Sequence, residues 1–147
     1  MSEPPPSLDR VVAMTTAMQA LIDDGAEPLG DPDAVGAGVL LADAACVIAG
    51  LPVAKEAFGR LGARFRPLVD EGHDVSNGDA VAELGGPLAA MRGAAPTAIR
   101  LLVRLSAIAS DRRAPELGDE LDVYASRLSR GEAVGHDGPS FHLEMRH

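Results

Sequence analysis

Aromatic residues are almost missing: the 147-residue chain has no Trp, one Tyr and three Phe. Its core must therefore be built from Ala, Val, Leu and Ile. Cysteine occurs once, at Cys46, which excludes an internal disulfide framework. Lysine also occurs once, at Lys55, against twelve arginines. Positive charge is in deficit overall, with 22 acidic and 13 basic side chains and a net charge of −9. Such a surface repels phosphate backbones and anionic lipid unless its arginines gather, so no nucleic-acid or membrane partner is expected. No apolar run reaches the roughly 18 residues needed to span a bilayer. The start, Met1–Pro6, lacks the basic-then-apolar order of a signal peptide, and a cytoplasmic location is the default expectation. What is present is a globular composition, 46% apolar, on a length that favours one domain.

Residues 1–7 read as a disordered start, because Pro4, Pro5 and Pro6 forbid a helix. A single domain is expected over 8–130, followed by a tail or short pairing segment over 131–147. Val11, Val12, Met14, Met18, Leu21 and Ile22 recur at helical spacing, which predicts a helix over Leu8–Asp23. Gly25–Gly38, rich in glycine and acid, reads as a loop. Val39–Ala49 reads as a strand, with a helix as the competitor. Pro52 opens a helix over Val53–Leu61 that Gly62 stops. Strands are expected at Ala63–Val69 and Asp79–Leu84, joined by the polar turn Asp70–Gly78 into one β unit. Gly85-Gly86-Pro87 reads as a break. A short helix, Leu88–Arg92, precedes a longer one that Pro96 opens and that runs over Thr97–Ser110. Leu117–Leu128 is a further helical segment.

Few constellations carry chemistry. Arg100 and Arg104 stand four apart on one helix face, flanked by Arg92, Arg112 and Arg113. Guanidinium forks suit carboxylates and phosphates, so the pair is the candidate site for a small anionic ligand; pairing with the chain's own acids is the plainer reading. His142, Glu144 and His147, with His136 nearby, are metal ligands by chemistry. Their spacing fits no helical pair of histidines, and a solvated tail is the better reading. Cys46 reads as a small buried thiol and not a nucleophile, since no basic neighbour would hold a thiolate. Asp43 is the odd residue in its apolar run, either facing an edge or paired. The run Val69–Val75 followed by Gly78-Asp79 resembles the hairpin of lipoyl carrier domains. It has no lysine at its tip, and Lys55 lies earlier, on a predicted helix. No catalytic, cofactor or metal residues are assigned.

Four fragments carry a more specific resemblance. They are Val47-Ile48-Ala49-Gly50-Leu51-Pro52-Val53-Ala54, then Val69-Asp70-Glu71-Gly72 through Gly78 and Gly86-Pro87, and finally Arg104-Leu105-Ser106-Ala107-Ile108-Ala109-Ser110. In that order they resemble the N-terminal domain of quinolinate phosphoribosyltransferase. The resemblance implies an α+β fold, a small antiparallel sheet packed with helices. In that family a C-terminal barrel binds phosphoribosyl pyrophosphate with magnesium, and the N-terminal domain closes over a partner's barrel. The residues after Ser110 are too few for an eight-unit barrel of about 250 residues. The family also places a Glu-Arg pair before the last helix of this domain, and that arginine contacts the substrate carboxylate. Here the two positions are Ala95 and Pro96. A family asparagine is Arg100, and the glycine of the closing motif is Ala107.

Three functions follow as expectations. The first is a stand-alone, non-catalytic relative of the domain, acting as a structural, interaction or regulatory module and forming a homodimer. The second is an accessory subunit of a split pentosyltransferase, working with a barrel-domain partner protein. The third is a small-anion sensor using Arg100 and Arg104.

Overall fold

The computed structural model describes residues 8–112 and 140–146. In chain order they form α1 (Leu8–Asp24), β1 (Val35–Ala42), β2 (Cys46–Val47), α2 (Leu51–Leu61), β3 (Arg64–Pro67), β4 (Asp74–Val75), β5 (Ala80–Pro87), α3 (Leu88–Arg112) and β6 (Phe141–Arg146). The fold is α+β. Four strands make one sheet in the order β3-β5-β1-β6, antiparallel throughout, and β2 and β4 make a small second pair. The helical segment expected at Leu117–Leu128 lies outside the described residues.

Two helices end where glycine lets them. Gly25 (φ 62°) follows α1, with its N–H bonded to the Ile22 carbonyl and the Ala26 N–H to Leu21. Gly62 (φ 108°) repeats the arrangement after α2, where its N–H reaches Gly59 and the Ala63 N–H reaches Phe58. Both close orphan carbonyls with a left-handed residue that costs glycine little.

The core lies between the sheet and the pair α2 and α3, with α1 packed on those helices. Phe58 of α2 stacks on Phe65 of β3, with ring centroids 5.8 Å apart. In α1 the buried row is Ala13, Ala17 and Leu21, whereas Val11, Met18 and Ile22 are exposed. The larger apolar side chains of that helix are thus only partly in the core. The alanine row lets α1 sit close to its neighbours.

Several elements differ from the sequence expectation. The predicted strand Val39–Ala49 is instead β1, a turn and β2, and β1 begins inside the predicted loop, at Val35. Within β1, Gly36 has no room for a side chain and Gly38 has little. A Cβ at Gly36 would stand 2.1 Å from the Arg146 carbonyl, and one at Gly38 would stand 3.1 Å from Leu143 Cδ1. The Gly85-Gly86-Pro87 break is part of β5, and the predicted turn before it contains β4. The two helices expected around Pro96 are one helix, α3, of 25 residues. Pro96 forfeits one backbone hydrogen bond, and the burial of Met91, Ala94, Ala98 and Leu101 on either side holds the helix through it. A bulge between Leu40 and Leu41 places both Val81 and Ala82 in the core, where strict alternation would expose one.

Candidate functional site

The arginine pair sits on α3 facing the end of α1. Asp24, the last residue of α1, accepts hydrogen bonds from Arg100 Nη1 at 2.8 Å and from Thr97 Oγ1 at 2.6 Å. The Arg100 guanidinium holds the Asp24 carboxyl below its ordinary range; Thr97 adds to this, and partial burial pulls the other way. Arg104 adds its charge from one turn further along. Thr97 is buried and was not singled out from the sequence. The structure therefore joins Arg100 and Arg104 around an internal carboxylate, and this cluster locks α1 to α3. Ala95 and Pro96 lie one turn before it, inside α3, and neither carries a donor side chain.

Three of the four resembling fragments meet in space. Ser106 of α3 is fully buried; its Oγ accepts from the Ala49 N–H at 3.0 Å and donates to the Ala49 carbonyl at 3.2 Å. One turn on, Ser110 Oγ accepts from the Val47 N–H at 3.0 Å. From the other side, Glu71 accepts from the N–H groups of Gly50 (3.0 Å) and Leu51 (2.7 Å). The Ile48 backbone bonds to His73 and Gly72. Gly50 adopts φ 102°, and Leu105 Cδ1 would stand 2.8 Å from any Cβ there. Glu71 thus occupies the positive end of α2 in place of a capping side chain. Burial raises its pKa, against the two backbone bonds that favour the charged form. Neither described groove is lined by a residue of this node, and the bonds it makes are architectural. Neither Ser106 nor Glu71 was picked as functional from the sequence. Two serines four apart on an otherwise apolar helix face were the available signal.

Cys46 is half-buried beside this node, and burial pushes its thiol up to about 11, with Asp74 adding to the effect. Lys55 is on α2, as expected. Asp43 follows β1 and is paired, bonding to His142 of β6 at 2.6 Å; His142 in turn reaches Glu144 at 3.1 Å. Asp43 comes from a distant part of the chain, and His142 and Glu144 are neighbours on one face of β6. The three do not form a metal-binding group, and none occurs among the described residues.

The sheet face turned away from the helices bears Val35, Ala37, Val39 and Leu41 of β1. Val35 and, beside the sheet, Leu68 are exposed. A shallow groove of about 440 Å³ runs over this face, lined by Ala37, Val39, Leu68, Ala80, Glu83 and Glu144. Arg66 pairs with Glu83 at 2.6 Å along one side. No described helix is long and apolar enough to cross a membrane.

An alternating sheet with one face under helices, and a signature spent on seating α2 against α3, defines the class. Residues 13–106 match the family described as quinolinate phosphoribosyl transferase, N-terminal domain, and the chain belongs to that family. Among solved structures, the nicotinate-nucleotide pyrophosphorylase from Francisella tularensis shares the fold. Its TM-score is 0.62 at 16% identity, over 75% of this chain and 41% of that one. NadC from Streptococcus pyogenes gives the same TM-score, 0.62, at 25% identity, again over 75% and 41%. The enzyme from Ehrlichia chaffeensis gives 0.55 at 14% identity, over 73% and 40%. This chain therefore spans about two fifths of the length of these structures. No curated protein matches.

Proposed function

We propose that the chain is a non-catalytic member of its family, a structural and interaction module that forms a homodimer. One observation carries this reading. The position at which the family resemblance expects a substrate-gripping arginine is Pro96, and Arg100, one turn further along α3, is bonded to Asp24. An internal carboxylate bound at Nη1 reduces the pull of this guanidinium on an external one, although its buried Nε has no partner among the described residues. The exposed apolar groups of α1 and of the outer sheet face supply contact surface.

The test is the purified chain with quinolinate, phosphoribosyl pyrophosphate and magnesium. No pyrophosphate release and a dimer mass by light scattering are expected. Turnover by the chain alone would overturn the reading. The split-enzyme alternative rests on the family's relatives being nicotinate-nucleotide pyrophosphorylases. A barrel-only protein that gains transferase activity on mixing would establish that alternative and displace the first reading.

A further inference from the structure

β6 is held to β1 by more than its ladder. The strand pairs from Ala37↔Arg146 to Ala42↔Phe141, and the Asp43 N–H bonds to the Ser140 carbonyl at 2.8 Å. Its inner side chains, Phe141, Leu143 and Met145, pack on the core. On the outer face, His142 lies between two carboxylates. Nδ1 is 2.6 Å from Asp43 Oδ1, and Nε2 is 3.1 Å from Glu144 Oε2. An ionised carboxylate only accepts hydrogen bonds, and a neutral imidazole donates from one nitrogen alone. Both contacts are hydrogen bonds only when the ring carries both protons. A neutral ring sets a lone pair against a carboxylate at one end.

We infer that His142 is a proton-operated clasp: its imidazolium ties β6 to the turn after β1, and loss of the proton loosens the strand. Among the described residues no other charged side chain bonds to the ring. Opposite it on β1 stands Leu41, which is apolar. Asp79, next to Ala42, spends its carboxylate on the Ser76 N–H. Glu83 on β5 is paired with Arg66 of β3, and Arg146 lies beyond Glu144 on β6 itself. The groups that act on the ring are Glu144 first and Asp43 second, and both raise its pKa above the ordinary 6.5. A raised imidazole pKa stabilises docking fully below about 6.5, and the gain is lost as pH rises through the raised value.

The consequence is local. Along the sequence, 27 residues (113–139) separate α3 from β6. Release would bare the flank of β1 and the inner row Phe141, Leu143 and Met145 while leaving α2 and α3 packed.

The experiment is amide exchange on the full chain from pH 5.5 to 8.5, corrected for intrinsic rates, together with an NMR titration of the His142 ring. Expected is a fall in protection confined to β6 and its partners on β1. It amounts to about tenfold for each unit by which the folded pKa exceeds the unfolded one. His142→Gln should sit at the high-pH level throughout and show no such fall. Asp43→Asn, which keeps the strand sequence intact, should lower the ring pKa and shrink the fall. A ring that titrates at or below 6.5 would overturn the inference, as would equal pH dependence in wild type and His142→Gln.

Discussion

Removing one oxygen from the middle of α3 should unfasten a segment more than fifty residues earlier. In Ser106→Ala the Ala49 N–H loses its acceptor and the Ala49 carbonyl loses a donor, at a site closed to water. A buried N–H left without a partner costs about 1–3 kcal/mol, and a carbonyl tolerates the loss better because it has a second lone pair. The expected destabilisation is about 2 kcal/mol, or about 6–8 °C in Tm for a domain of this size. Urea unfolding followed by far-ultraviolet circular dichroism measures it, since helix dominates that signal and no Trp is available. Ser110→Ala is the internal control. It orphans only the part-buried Val47 N–H, which water can reach, so its cost should stay under about 1 kcal/mol. Equal effects of the two variants, or a Ser106→Ala protein within about 0.5 kcal/mol of wild type, would refute the view that these serines fasten the segment before α2.

Glu71→Ala should cost about 1–3 kcal/mol by uncapping Gly50 and Leu51 at the start of α2. Because burial raises the Glu71 pKa, wild type should gain stability relative to Glu71→Gln as pH falls toward the ordinary carboxylate range, and a flat difference would contradict this. Cys46, with its thiol near 11, should react with iodoacetamide at pH 8 about a hundredfold slower in the folded than in the unfolded chain, as read by mass spectrometry. Gly93→Ala should destabilise by about 1–3 kcal/mol although alanine favours helix, because the new Cβ would stand 2.0 Å from the Glu27 carbonyl. Loss of protection at the Leu29 N–H, which bonds to Ala89, would locate that damage.

Helix periodicity and a glycine stop were legible without coordinates: α1, α2 and the cap at Gly62 follow from local rules alone. Glycine misled wherever it serves a neighbour and not a turn. Gly36 and Gly38 make room for β6, Gly85 lies under Arg64, and Gly93 admits the loop after α1. Each was legible as punctuation and is a place of close approach between distant segments, which single-sequence reading cannot distinguish. Pro96 misled for a similar reason, because tertiary packing overrides one missing bond. In the candidate sites, Arg100 and Arg104 were identifiable by spacing, but their partner Asp24 comes from the far end of another helix. Asp43 and His142 each stood out as unusual, and nothing local to either said that they touch.

The central place of β1 bears on how the molecule is born. Leu40 pairs with Ala82 on one side and Leu143 on the other, so its second neighbour is synthesised about a hundred residues later. Until then one rim of a mostly apolar ribbon has no hydrogen-bonding companion, and non-local pairing of this kind is slow and prone to capture by other chains. Expression truncated before Phe141 should therefore yield sticky, poorly soluble product even though every helix described is intact.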